Sequence, residues 1–291
     1  MSTRVTFTFW LTAGLMLPTA ACGQTRPDAW AEVGRILRTE NVSSTPYHRY
    51  NLPRADLTLR IGDIDASTFG LGAWVGFAGD AAAATMGGDL VVTSDELGPV
   101  LAELERQQIG VTAIHNHLAG ATPQLLYIHI QGQGEAQDLA IRVDRAVALT
   151  GTPRPVPAPS SQPVQIDTAL VYRVLGQSGS ASGSVVQLGF QLVDGRVTVD
   201  GVAVDPNLGH RTPITIQMVD QDRAVASGDF AVRATSAMGV VSSLAAAGIT
   251  ATAMHSHLVG EEPQVRYIHF WADGPLTEVL EGLRSAIAAA N

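Results

Sequence analysis

The same arrangement of histidines occurs twice in this chain, 140 residues apart. Six of the eight histidines make up the two copies: His115, His117 and His129, then His255, His257 and His269. Each copy reads H-x-H-x11-H, and residues 115–134 match residues 255–274 at 10 of 20 positions. A repeat at a fixed period predicts that the chain folds as a tandem duplication of one domain.

The boundary between the copies is marked by a proline-rich segment. Four prolines stand at alternating positions between residues 153 and 159, which excludes a helix or a central strand there. The sequence therefore predicts a first repeat at 25–149, a linker at 150–165 and a second repeat at 166–291. A chain of 291 residues is long enough for both repeats to bury their own cores.

The first 24 residues have the composition of an export signal. Arg4 precedes the apolar stretch 5–17, and small residues follow up to Gly23. Cys22, the only cysteine, lies where a bacterial lipoprotein carries its lipid, although Thr19 replaces the usual leucine three residues earlier. We expect an exported, periplasmic or cell-envelope protein that meets the membrane only through this anchor. The alternative is an ordinary signal, cleaved after Ala20 or Ala21.

Each copy shows the same succession of predicted elements. Helices are expected at 28–38, 95–108 and 135–149, and at 167–175, 236–247 and 276–289. Short strands are expected at 57–59 and 197–199. Because strands and helices mix without a regular βαβ alternation, the fold class is α+β.

A β-hairpin is predicted to carry the histidines in each copy. The segments 111–117 and 251–257 have strand character, and alternate residues of a strand share one face. His115 and His117 therefore point the same way, as do His255 and His257. A second strand ending at His129 or His269 would bring the third imidazole to the first two.

Three neutral imidazoles with an open fourth position form a standard catalytic zinc arrangement. We expect one or two divalent metal sites, with zinc as the leading metal, although imidazole also suits copper, iron and nickel. Such a site can polarise a carbonyl or phosphoryl oxygen and lower the pKa of bound water to ~7. The structural alternative is a set of core histidines hydrogen-bonded to backbone carbonyls or to Tyr127 and Tyr267.

Acidic residues near the histidines are candidates for acid/base or orienting roles. Glu261 and Glu262 occur only in the second copy and are candidates for a fourth metal ligand or a catalytic general base, unless they form an exposed acidic loop. Asp89 and Asp229, each preceded by glycine, either orient an imidazole or form a turn. Glu96 is best explained as a charge at a helix N-terminus. His48 and His210 are assigned no role.

Several function classes have no support. The net charge is −9 without a basic run, so nucleic acid is not an expected partner. No glycine-rich phosphate loop or G-x-S-x-G elbow occurs. The expected partner is a small-molecule ligand or substrate, and the sequence leaves its identity and the oligomeric state open.

The chain resembles the bacterial LppY/LpqO-type exported lipoproteins, also called the domain of unknown function 1259. Segments that carry the resemblance are residues 52–57, 88–91, 111–118, 127–129, 228–230 and 255–257. The resemblance covers nearly all of the mature chain and implies export and lipid anchoring. The activity of that family is not established.

Two weaker likenesses concern the site alone. Acetolactate decarboxylase and its structural relatives hold zinc with H-x-H and a third histidine about ten residues later, in a duplicated α+β fold. This likeness implies a metal-dependent lyase or hydrolase by analogy. The spacing of His255, His257 and Glu261 also resembles the start of a cupin motif, but the first copy has no such glutamate.

The expected function is metal-assisted chemistry on a small carbonyl or ester compound. The alternative is a non-catalytic cell-envelope protein that binds a metal or a ligand. A third hypothesis is that the histidines are a polar layer of the core. If one copy is catalytic, the acidic loop favours the second.

Overall fold

The structure is a computed structural model that describes residues 28–43, 46–157, 163 and 165–290. The predicted export signal at 1–24, which includes Cys22, lies outside the described residues, as does part of the linker. Two units of matching architecture follow each other along the chain, which confirms the α+β tandem duplication.

The first repeat begins with a helix and ends with a helix. Its elements in chain order are α1 (Ala29–Leu37), β1 (Tyr47–Asn51), β2 (Arg60–Ile61), β3 (Ile64–Asp65), α2 (Ser67–Gly70), β4 (Trp74–Ala78), a 3-10 turn (Ala81–Ala83), β5 (Ala84–Thr93), α3 (Ser94–Arg106), β6 (Gly110–His115), β7 (Leu125–Gly134) and α4 (Ala136–Val147).

The second repeat follows the same plan with one additional strand on each of its two sheets. Its elements are α5 (Thr168–Leu175), β8 (Gly179–Ser182), β9 (Val185–Phe190), β10 (Thr198–Val199), β11 (Val202–Ala203), α6 (Pro206–Gly209), β12 (Thr212–Met218), β13 (Arg223–Arg233), α7 (Ala237–Ala246), β14 (Thr250–His255), β15 (Glu261–Glu262), β16 (Val265–Pro275) and α8 (Leu276–Ala289).

The two large sheets have equivalent strand orders. The first sheet runs β1-β4-β5-β7-β6, and the second runs β8-β9-β12-β13-β16-β14. All neighbouring strands in both sheets are antiparallel. Apart from β8, each strand of the second sheet has a counterpart at the same place in the first. The histidine hairpins, β6–β7 and β14–β16, therefore occupy equivalent edges.

Helices cover one face of each sheet and close its core. In α4, Leu139, Val143 and Val147 recur at helical spacing and are buried against the sheet of the first repeat. α7 and α8 pack together over the second sheet and form a separate core. Thr93 is the N-cap of α3, and its backbone N–H donates to Glu96. The predicted helix-terminal role of Glu96 is confirmed, and this carboxylate also pairs with buried Arg54.

One expected strand is absent. Residues 57–59 are irregular, and the strand β2 begins only at Arg60. Leu59 is buried, and its backbone N–H donates to Ser67 Oγ while its carbonyl accepts from Ala66. Local turn contacts satisfy this backbone, so the β-branched and apolar composition of 57–59 does not lead to a sheet.

Short arms cross between the repeats. Helix α6 of the second repeat packs against β4 and β5 of the first, where glycine at position 87 leaves room for the Leu208 carbonyl. In the opposite direction, Phe69 of α2 meets Trp271 of β16 edge to face, with ring centroids 5.3 Å apart. These reciprocal contacts of α2 and α6 hold together the faces of the two sheets that the long helices leave uncovered.

Residues 151–156 of the linker are attached to the first repeat, whereas Gln165 N–H donates to the Gly183 carbonyl of the second. Val156 N–H donates to the Arg38 carbonyl, Gly151 N–H donates to Glu96, and the Arg154 guanidinium pairs with Asp144. Within the described ranges, no helix combines the length and hydropathy needed to span a bilayer.

The close pairing of β12 with β13 predicts a strong effect of adding one methyl group at Gly228. A Cβ atom there would lie 2.2 Å from the Pro213 carbonyl oxygen and 3.0 Å from the Ile214 Cα. Because both are backbone atoms, we expect Gly228→Ala to lower the free energy of unfolding by about 2 kcal/mol or more. Urea unfolding measures this change.

Gly274→Ala is the matched control, since Gly274 also lies in a strand and a Cβ there meets no atom within 4 Å. We expect it to change stability by no more than about 0.5 kcal/mol. Equal unfolding midpoints for the two variants would contradict the packing described for β12 and β13.

Candidate metal centre

Strand register explains how each trio of histidines forms. His129 lies opposite Asp89 of β5 on one side and Ala113 of β6 on the other. The register of β6 shifts between Val111 and Ala113, just before His115. Such β-bulges are common in edge strands next to functional sites. The second repeat is identical in this respect, with His269 opposite Asp229 and Ala253.

The sequence pattern predicted that the second strand of each hairpin ends at its third histidine, and this prediction is wrong. His129 and His269 lie in the middle of β7 and β16, which continue to Gly134 and Pro275. His117 and His257 lie beyond the ends of β6 and β14. The predicted convergence of three imidazoles within each hairpin is nevertheless observed.

The two trios face each other across the interface between the repeats. His115 stacks on His255, His117 on His269, and His129 on His257, with ring centroids 3.8, 3.9 and 3.6 Å apart. The second and third of these pairs are equivalent under exchange of the repeats. This reciprocity is the signature of a two-fold relation, in which His115 and His255 face each other across the axis.

Possible metal ligands are consequently shared between the repeats. Two groups of histidine nitrogens lie within 4.8 Å of one another: the first is His115, His117 and His129, and the second is His115, His255, His257 and His269. The first group is the trio predicted from the sequence. The second contains the other predicted trio together with His115, so two independent sites, one per domain, do not describe the arrangement.

The third histidine of each repeat is oriented from outside the cluster. His269 Nδ1 lies 3.3 Å from the Gly228 carbonyl oxygen, while its Nε2 lies 3.2 Å from His115 Nε2. His129 likewise hydrogen-bonds the backbone of Gly88, and its Nε2 has no hydrogen-bond partner. A backbone carbonyl on one ring nitrogen fixes the tautomer and aims the other nitrogen inward, as metal-binding histidines require.

Two buried carboxyl groups border the histidines. Asp89 Oδ2 lies 3.6 Å from His117 Nε2, and Asp229 Oδ2 lies 3.3 Å from His257 Nε2. Both aspartates are in the middle of long strands, β5 and β13, so the turn proposed as an alternative for the Gly-Asp pairs is wrong. The orienting role stays compatible with these positions.

Burial controls the protonation of the cluster. Desolvation, with repulsion from His255, lowers the pKa of His129 to about 3, and desolvation lowers that of His255 to about 4. The pKa values of the other four imidazoles are also lowered, chiefly by desolvation and then by neighbouring histidines. All six are therefore neutral at pH 7, the form that binds metals.

Burial acts in the opposite direction on the carboxyl groups. It raises the pKa of Asp89 to about 8 against the opposing effect of the Arg49 cation, and it raises the pKa of Asp229 well above its ordinary value. A divalent cation beside these carboxylates would favour their ionised forms and reverse this direction.

Many polar atoms of the cluster have no hydrogen-bond partner among the described residues. Eight such buried atoms are His115 Nδ1, His117 Nε2, His129 Nε2, His255 Nδ1 and Nε2, His257 Nε2, Asp89 Oδ1 and Asp229 Oδ1. Buried polar atoms without partners are rare in native proteins, where an ordered water, an ion or a ligand satisfies them. The concentration of nitrogen and carboxylate donors at this interface fits a divalent metal.

The two tyrosines form walls of the cluster and do not hydrogen-bond the histidines. Tyr127 stacks on His117 and Tyr267 on His257, with centroids 3.4 and 3.5 Å apart. Their hydroxyls donate instead to the Gly70 and Gly209 carbonyl oxygens. The histidine–tyrosine hydrogen bonds of the structural alternative are thus not formed.

Two clefts reach the cluster. The larger, of about 480 Å³, is bordered by both aspartates and four of the histidines: Asp89, Asp229, His117, His129, His257 and His269. The smaller, of about 370 Å³, meets His129 and His257 between the first sheet and the β10–β11 hairpin. A small molecule can therefore approach these groups.

Glu261 and Glu262 lie in β15, which pairs with β10. Glu261 is buried, accepts a hydrogen bond from Val265 N–H, and lies 3.6 Å from Arg266. Glu262 is exposed. Neither belongs to the two histidine groups described above.

The remaining histidines serve local packing. His48 stacks on Trp30 at 3.9 Å and contacts Asn41, and buried His210 contacts Gln191. Sequence reasoning missed the sharing of His115 and two cleft arginines, Arg49 and Arg211. No local motif marks these residues, because partners from different repeats bring them together.

Comparison with known protein families gives one match over both repeats. The model of a Domain of Unknown Function (DUF1259) matches residues 31–149 and 169–289. No curated protein matches the chain.

Proposed function

This chain belongs to the DUF1259 family, and we propose that its two repeats jointly hold a divalent metal, zinc in the first instance, in a hydrolase or lyase site for small carbonyl or ester compounds. One observation carries the proposal. Six neutral imidazoles and two carboxyl groups converge in a buried cluster where eight polar atoms have no partner among the described residues.

The donor set fits zinc. Zinc sites use imidazole nitrogens at about 2.0–2.1 Å, so two ligands of one tetrahedral ion lie about 3.3 Å apart. His115 Nε2 and His269 Nε2 are 3.2 Å apart, which suits two such ligands as well as a hydrogen bond. A bound divalent ion would polarise the carbonyl or ester oxygen of a substrate.

The protein's own groups would then control orientation and access. The Gly88 and Gly228 backbones fix the rings of His129 and His269, and the tyrosines hold His117 and His257 by stacking. The larger cleft presents Asp89 and Asp229 toward an incoming molecule. These carboxyl groups are placed to orient imidazoles or to exchange a proton with a ligand.

The acid/base assignment to Glu261 or Glu262 stays a proposal. Of the two, Glu261 is the better placed, because it is buried beside Tyr267, which stacks on His257. Its hydrogen bond to Val265 and its proximity to Arg266 keep the side chain in the wall of the site.

Metal content after purification tests the site. We expect the wild-type chain to retain zinc through dialysis, measured by mass spectrometry. His115→Ala should lower zinc affinity by at least tenfold, because His115 belongs to both ligand groups. His48→Gln is the control, since His48 stacks on Trp30 away from the cluster.

Copper, iron or nickel in place of zinc would correct the metal and leave the site intact. No bound metal in the wild type, after reconstitution with each of these ions, would contradict the proposal.

A non-catalytic metal- or ligand-binding protein of the cell envelope is the second candidate. It is favoured by the contacts of Glu261 Oε1 with Val265 N–H and the Arg266 guanidinium, which hold this carboxylate against its own strand. Export and anchoring suit this function equally well.

Turnover of an ester and keto-acid panel by the zinc-loaded chain separates the two candidates. For an enzyme we expect chelation to abolish turnover and Glu261→Gln to lower kcat at least tenfold. Glu262→Gln, at an exposed position, should leave kcat unchanged. Stable metal binding with no turnover of any substrate in the panel would favour the binding protein.

We also propose that the chain is an exported lipoprotein, held at the periplasmic or cell-envelope membrane by a lipid on Cys22. The apolar stretch 5–17 and the small residues before Cys22 support this. In fractionated bacterial cells, we expect the wild-type chain in the membrane fraction and Cys22→Ser in the soluble fraction, because two acyl chains are needed for stable anchoring.

Thr19→Leu, which supplies the usual residue of such signals, is the control and should stay with the membrane. Wild type and Cys22→Ser in the same fraction would contradict lipid anchoring.

A further inference from the structure

We propose that the larger cleft binds a small organic monocarboxylate, whose carboxylate is recognised by Arg49 and Arg211 and whose body lies against the aromatic wall beside the histidines. Both arginines border this cleft of about 480 Å³. This site would add a substrate class to the proposed function. Binding of the carboxylate does not require the metal; only the reaction at the other end of the ligand rests on the proposed function.

Arg49 is held in place from the first repeat. It lies in β1, its guanidinium covers the Trp74 ring at 4.2 Å, and its Nε donates to Asn51 Oδ1 at 2.9 Å. Stacking on an aromatic face fixes the plane of the guanidinium while leaving its edge available for an oxyanion. The side chain is half-buried, so a bond formed there is partly shielded from water.

Arg211 comes from the second repeat, immediately before β12. Its Nη2 lies 3.4 Å from the Gly189 carbonyl oxygen, and glycine at position 189 leaves space for the guanidinium. The side chain is exposed at the cleft. Two arginines from different repeats thus border one concave surface.

Neither arginine has a carboxylate within 4 Å in the part of the chain that the structure describes. By contrast, Arg54 is paired with Asp56 and Glu96, and Arg266 with Glu261. Guanidinium groups bind carboxylates through two parallel hydrogen bonds. Apart from Arg49 Nε, which donates to Asn51, and Arg211 Nη2, which lies against the Gly189 carbonyl, the donors of the two arginines are available to an external oxyanion.

The rest of the cleft selects the kind of anion. Phe69, Trp74, Leu188 and Leu208 give it an apolar side, and its volume suits a small organic molecule. Asp89 and Asp229 border the same space, and the chain carries a net charge of −9. The net negative charge opposes a doubly charged phosphoryl group more strongly than a singly charged carboxylate.

Calorimetric titration of the full chain with benzoate tests the proposal, with benzamide as the neutral analogue and phenyl phosphate as the doubly charged one. Titrations are run on zinc-loaded and on chelator-treated protein. We expect benzoate to bind both forms, and benzamide to bind at least tenfold more weakly, since it lacks the charge that the arginines recognise.

Arg49→Gln and Arg211→Gln should each weaken benzoate binding by about tenfold or more. Arg173→Gln is the matched control, because Arg173 is exposed on α5 and does not border the cleft. Circular dichroism on heating verifies that each variant is folded. Because Arg211 is exposed, Arg211→Gln is the cleft variant whose folding should be least affected.

Equal affinity for benzoate and benzamide, or unchanged affinity in both cleft variants, would overturn the carboxylate site. Tighter binding of phenyl phosphate would overturn the choice of a monocarboxylate. If zinc binds but benzoate binding does not depend on the arginines, the carboxylate site is contradicted and the metal site is supported. Arginine-dependent benzoate binding by a chain that takes up no metal supports the carboxylate site and contradicts the metal site.

Discussion

The contact between two faces of histidines is the constraint on which this molecule depends. A buried polar atom without a partner costs about 1–3 kcal/mol. The cluster has eight such atoms among the described residues, a cost of about 8–24 kcal/mol if nothing satisfies them. Net stabilities of folded domains are only about 5–15 kcal/mol. A bound partner would remove this cost, and a metal ion would supply bonds to nitrogen and carboxylate at once.

Duplication is what makes such an interface possible. Each repeat presents three histidines at one edge of its sheet. The two edges are held together because α2 and α6 each pack against the opposite repeat. The reciprocal stacking of His117 on His269 and His257 on His129 follows from the two-fold relation. One repeat alone would leave its imidazoles at an open edge, so the composite cluster belongs to the pair.

The local patterns in the sequence predicted the repeated α+β plan, the histidine hairpins and the positions of most helices. They failed at residues 57–59, where hydrogen bonds to Ser67 and Ala66 replace a sheet. They also missed the meeting of the trios, because periodicity reports which face a side chain takes and not what that face contacts. The Gly-Asp pairs show the same limit: glycine at position 228 admits the neighbouring strand and forms no turn.

The two-fold relation is broken where a ligand would bind, and this asymmetry has a consequence for recognition. Strand register places Gln187 at the position equivalent to Arg49, and Gly72 at the position equivalent to Arg211. All four residues border the larger cleft. A symmetric cleft would accept a small ligand in two opposite orientations. With a guanidinium at only one position of each equivalent pair, the charge pattern favours a single orientation, which a site with one defined reaction requires.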